Sequence, residues 1–85
     1  MTTRTLLNKI REILQSYPEF KMYAVRVSSS RVHLFKEGDI PEIFRERKIS
    51  FQERLYDLTR NTGYAYSIDP TAGPEDPYIQ IYKTE

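Results

Sequence analysis

His33 is the only histidine in the sequence, and there is no cysteine. Thiol nucleophiles and Cys-held zinc are therefore excluded. A Ser–His–acid relay would have to run through His33. His33 lies in "RVHLFK", where alternation puts it mid-strand beside Phe35 on the outward side of a sheet. A solvent-facing sheet histidine explains that position better than a general base, whose geometry is far more demanding.

Hard cations need clustered oxygen ligands. Asp69, Glu75 and Asp76 share one stretch, "DPTAGPED". The stretch lacks the ligand spacing of a calcium loop, so a solvated acidic turn accounts for it better. Phosphate-cradling loops are missing too: Gly38, Gly63 and Gly73 are isolated, each at a break. Acid–base carboxylate pairs are a matter of space rather than sequence, and so short a chain has little material for a deep cleft. The expectation is a protein without metal, cofactor or catalytic residues.

Binding chemistry is better represented. The outward set of the expected strands contains Arg26, Arg31, His33, Phe35, Tyr78, Gln80 and Tyr82, with Met22 and Ala24 beside them. Aromatics and Arg on an open sheet suit single-stranded nucleic acid, where each base stacks for about 1–3 kcal/mol and Arg meets phosphate. The same residue types are enriched at protein–protein interfaces. They also serve a sheet by itself, as exposed cross-strand pairs worth about 0.2–1 kcal/mol each. A second basic patch comprises Arg45, Arg47 and Lys48, continued by Arg54 and Arg60. Glu42, Glu46, Glu53 and Asp57 interleave with it, so a mixed-charge solvated face is the better reading.

Composition narrows the partners. Thirteen basic and 12 acidic side chains leave a formal net charge of +1. Coating nucleic acid calls for a denser basic surface, because counterion release supplies its affinity. The opening "MTTRTLLNKIREIL" is too interrupted by charge for a signal peptide, and no apolar run approaches the ~20 residues of a membrane span. A cytoplasmic protein of one domain is expected. A domain of this size buries only about 60–65% of its unfolded surface, so stability from a partner subunit is an open route.

The elements that must position these groups follow from periodicity. Leu6, Leu7, Ile10, Ile13, Leu14 and Tyr17 make one apolar stripe at helical spacing, capped by Thr2, Thr3 or Thr5 and stopped by Pro18. "KMYAVRV" and "RVHLFK" alternate as strands around the polar break at residues 28–30. Asp39 with Glu42, and Ser50 with Glu53, have capping-box spacing. They predict a short helical turn over residues 41–45 and a main helix over residues 51–61, with Gly63 at a left-handed cap. "YAYSI" and "YIQIY" form the last two strands, separated by a Pro- and Gly-rich loop. Residues 6–36 and 51–83 thus share one helix–hairpin layout.

An α+β fold of order α-β-β-α-β-β satisfies these elements: two layers, with a four-stranded, mainly antiparallel sheet and both helices on one face. Apolar area assigns Tyr23, Val25, Val27, Val32, Leu34, Ile79 and Ile81 to the inner face, together with Tyr64, Tyr66 and Ile68. The expected function is a small non-enzymatic regulatory or adaptor protein that binds another protein, including a second copy, through its aromatic sheet face. The alternative is RNA or single-stranded DNA on the same face. The free edge of the outermost strand offers a further route, strand addition.

Overall fold

The first helix, α1 (Thr3–Gln15), begins where Thr2 accepts a hydrogen bond from the Thr5 N–H, 3.1 Å away, in this computed structural model, which describes residues 1–84. It ends just ahead of Pro18, which opens a 3-10 turn (Pro18–Phe20). Lys21 then takes a left-handed conformation, φ 51°, and releases the chain into β1 (Met22–Ser28). A tight turn leads to β2 (Arg31–Lys36). A 3-10 turn (Glu42–Phe44) precedes α2 (Arg45–Thr59), followed by β3 (Tyr64–Ile68) and β4 (Ile79–Lys83). The structure is a small α+β domain of order α-β-β-α-β-β.

The four strands pair antiparallel in the order β1-β2-β4-β3. The two helix–hairpin halves therefore meet through their second strands, leaving β1 and β3 as edges. Both helices cover one face of the sheet. Leu6 and Ile10 of α1, and Phe51 and Leu55 of α2, are buried against Val32, Leu34, Ile79 and Ile81. Each such side chain contributes about 1.5–3 kcal/mol by leaving water. At one end Tyr17, Phe20 and Phe51 pack ring to ring, with Tyr17 and Phe51 centroids 5.3 Å apart. At the other, the Tyr64 hydroxyl meets the Thr3 hydroxyl at 2.9 Å, tying β3 to the start of α1. Tyr64, Tyr66 and Ile68 lie on the inner face as expected: they are register partners of Lys83, Ile81 and Ile79.

Two expectations are corrected. The main helix starts at Arg45 rather than Phe51, and Ser50 is inside it, its hydroxyl 2.7 Å from that of Tyr17. Residues 45–50 carry no inward apolar stripe, so periodicity was silent there, yet Arg, Glu and Lys are good helix formers. Neither proposed capping box operates; no side chain caps α2. The helix stops where Arg60 turns extended, and Asn61 and Gly63 take positive φ, 63° and 81°.

The second correction concerns β1. Tyr23, Val25 and Val27 are 47%, 39% and 46% exposed, and Ala24 is the buried residue. The cause is a β-bulge. Ser28 is opposite Arg31, but Arg26 is opposite Val32, so Val27 is an extra residue without a partner. A regular hairpin would have set Val27 against Val32 and Val25 against Leu34, on the inner face. One inserted residue inverts the whole strand, because side chains alternate with period two.

Candidate functional site

The uncovered face of the sheet collects side chains from every strand. Tyr23 is opposite Phe35, Val25 opposite His33, and His33 in turn opposite Gln80 and Ser67 beyond it. Arg31 is opposite Tyr82. The Tyr23 and Phe35 rings stack with centroids 5.4 Å apart and planes 19° from parallel, and His33 meets the Phe35 ring at 6.1 Å, edge-on. The Arg31 guanidinium lies 5.9 Å from the centre of the Tyr82 ring and donates to the Gln80 side-chain oxygen at 3.2 Å. His33 and Phe35 are neighbours two residues apart on one face of β2, and the other contacts are cross-strand pairs or diagonals that β geometry brings within reach.

Electrostatics on this face are simple. Burial, then the charge of Arg31, pushes the His33 pKa below its ordinary value, so the ring is neutral at pH 7. Its Nε2 is shielded from solvent and has no hydrogen-bond partner. Arg31 is thus the one fixed charge among Tyr23, Val25, Arg31, His33, Phe35, Gln80 and Tyr82.

Of the residues expected here, the structure brings Arg31, His33, Phe35, Gln80 and Tyr82 together. Arg26 and Tyr78 are corrections. The bulge puts Arg26 in register with buried Val32, on the helix side of the edge strand. Tyr78 precedes β4, outside the alternation that begins at Ile79, and is buried. Its N–H donates to the Leu34 carbonyl at 2.8 Å, and its ring lies 4.7 Å from the Lys36 ammonium and 5.9 Å from that of Lys48. Lys36 is itself buried and reaches Asp39 at 3.5 Å. Tyr23, Val25 and Val27 join the face unforeseen, since no residue type announces a bulge at Val27.

The second basic patch does not converge on one surface. The Arg47 Nε donates to Glu19 at 2.7 Å, its NH2 group donates to the Ser16 carbonyl, and its guanidinium covers the Tyr17 ring at 4.3 Å. Arg47 is a clamp between α2 and the turn after α1. Lys48 is turned toward Tyr78, and Arg45 is exposed.

Elsewhere, a cleft of about 540 Å³ is lined by Glu19, Glu37 and Asp39 among others. Glu19 is committed to Arg47, which holds its pKa below the ordinary carboxylate value, and Asp39 to Lys36. Asp69 accepts from the N–H and hydroxyl of Thr71, at 3.0 and 2.7 Å, bonds that lower its pKa and make it a turn residue. Among the described residues no group of three or more His, Asp or Glu could hold a metal ion. No helix of the described residues is long and apolar enough to cross a membrane. Comparison with known proteins finds no matching family model, no matching curated relative and no matching solved structure.

Proposed function

We propose that this protein is a small non-enzymatic regulatory or adaptor module that docks on another protein through the uncovered face of its sheet. One observation carries the reading: large apolar side chains of an edge strand, Tyr23, Val25 and Val27, stand in solvent on the face that also holds Phe35 and, two strands away, Tyr82. Exposed apolar groups gathered on one sheet face mark interaction surfaces. Aromatic rings with one Arg and depleted charge match the core of a protein interface. A nucleic-acid strand would call for a track of cations along the phosphates, and Arg31 is the one fixed cation among Tyr23, Val25, Arg31, His33, Phe35, Gln80 and Tyr82. A cytoplasmic location belongs to the same reading, and a cysteine-free chain suits it.

The test is capture of partners from the cells that make the protein, after nuclease treatment, with the wild type and with Val25→Glu and Phe35→Ala. Both positions lie outside the core, so circular dichroism should show retained folding. Capture by the wild type alone supports the proposal, with light scattering reporting whether the partner is a second copy. Capture that survives both substitutions overturns it. So does nuclease-sensitive binding with a salt-dependent mobility shift on single-stranded RNA, which would establish the nucleic-acid alternative.

A further inference from the structure

The edge of β1 has a second property, independent of the aromatic face. Leu34 gives its carbonyl to the Tyr78 N–H across β4, and Lys21 accepts from Glu37 across β2. In an antiparallel pair neighbouring residues alternate in direction, so the N–H and C=O of Met22, Ala24 and Arg26 point away from β2, out of the sheet. Strand β1 is an edge, so no strand receives them. Alongside runs a groove of about 590 Å³ between Arg11, Leu14 and Gln15 of α1 and residues 22–25 of β1. Its floor is apolar, from Leu14 and Met22, and its lining contains a cation and no carboxylate.

Arg11 shows what this edge lacks. Its guanidinium is 3.4 Å from the Ala24 carbonyl and donates to it, standing where an added strand would offer an N–H. Arg4 lies two helical turns before Arg11, on the same side of α1, and Arg26 lies on the helix side of β1 farther along the edge.

We propose that this groove binds an extended acidic peptide segment of another protein as a fifth strand, antiparallel or parallel to β1. Main-chain bonds to Met22, Ala24 and Arg26 would hold the segment, and its alternating side chains would divide between two environments. Those on the helix side meet Arg11 and Arg26, which selects carboxylates. Those on the open side continue the surface of Tyr23 and Val25, which selects β-branched or aromatic residues. When a peptide N–H takes over the Ala24 carbonyl, Arg11 is released to pair with a carboxylate. The ligand class is therefore a strand that alternates acidic with β-branched or aromatic residues.

A fluorescein-labelled decapeptide alternating Glu with Val and Tyr is the probe, with a Lys-for-Glu version as control. Anisotropy reads affinity, and amide shifts of the isotope-labelled protein read location. The expected result is saturable binding of the Glu peptide alone. Amide shifts should be greatest at Met22, Ala24 and Arg26, and Arg11→Glu should weaken binding by at least about tenfold. Arg26→Pro, which deletes one edge N–H at an exposed position, should weaken it as well. Absence of binding by the wild type overturns the proposal, as does equal binding of the Lys peptide. Shifts confined to His33, Phe35 and Tyr82 overturn it too, because they would locate the peptide on the open face. Protection of the edge amides without peptide, together with a dimer mass, would assign the edge to a second copy instead.

Discussion

Tyr23 and Phe35 stack across the β1–β2 pair as direct register partners, ring centroids 5.4 Å apart, on the side of the sheet that no helix covers. An exposed stacked pair contributes to the hairpin whether or not anything binds there. A double-mutant cycle of Tyr23→Ala and Phe35→Ala should show a coupling of about 0.5–1 kcal/mol in urea unfolding. Coupling near zero would mean that the two rings do not stack in solution.

Tyr78 predicts the opposite of a surface residue. Its hydroxyl oxygen is shielded and without a partner, while its ring supports the Lys36 ammonium. Tyr78→Phe should leave stability unchanged or raise it by up to about 1 kcal/mol, since an unsatisfied polar group is removed and the ring is kept. Tyr78→Ala should cost about 3–5 kcal/mol. Thermal unfolding of the two variants checks both, and a large loss in Tyr78→Phe would show that the hydroxyl has a partner.

His33 should make stability depend on pH above the carboxylate range. Its folded pKa is lowered from 6.5, chiefly by burial, so the unfolded chain takes up a proton first. The stabilisation of the neutral ring is complete above pH 6.5 and is lost as pH falls toward the lowered value. The urea midpoint should decline between pH 7 and pH 5, and His33→Gln should flatten that decline. An identical slope in the variant would refute the assignment.

Glu19 and Arg47 govern a lower window. The Glu19 pKa lies below 4.5, first because of the Arg47 hydrogen bond, so the contribution of the pair is present above pH 4.5 and fades as pH falls through the lowered value. Arg47→Ala should remove that acid-range dependence and loosen the contact between α2 and the segment from Ser16 to Glu19. Hydrogen exchange at residues 16–20 before and after the substitution measures the loosening.

The sequence made some of these relationships legible and hid others, for identifiable reasons. α1 was readable throughout: the stripe from Leu6 to Tyr17 has helical spacing, Thr2 is a good cap and Pro18 a firm stop. Val32, Leu34, Ile79 and Ile81 are readable as inner residues because a polar residue, His33 in one pair and Gln80 in the other, separates the two aliphatic ones in strict alternation. The start of α2 was hidden because its first turns face solvent and need no apolar pattern. Tyr78 is not legible as a buried residue because alternation, carried back one residue before the start of β4 at Ile79, puts it outward. Among the candidate site residues, those on β2 and β4 kept their face, whereas the contribution of β1 depended on a pairing register that local residue types do not encode.

That register leaves the molecule close to a second arrangement. If Val27 paired with Val32 instead of bulging, the regular hairpin would return Tyr23 and Val25 beneath α1 and send Met22, Ala24 and Arg26 outward. The new interior would have to hold a Tyr and a Val where Ala24 now lets the helix approach closely. A chain slipped in this way would present Met, Ala and Arg to its surroundings in place of an aromatic strip. Deleting Val27 would close off that slip, because Ser28 opposite Arg31 would then be followed directly by Arg26 opposite Val32. Whether Val27 pairs or stands out of the ladder therefore decides which half of a strand is spent on cohesion and which half is displayed.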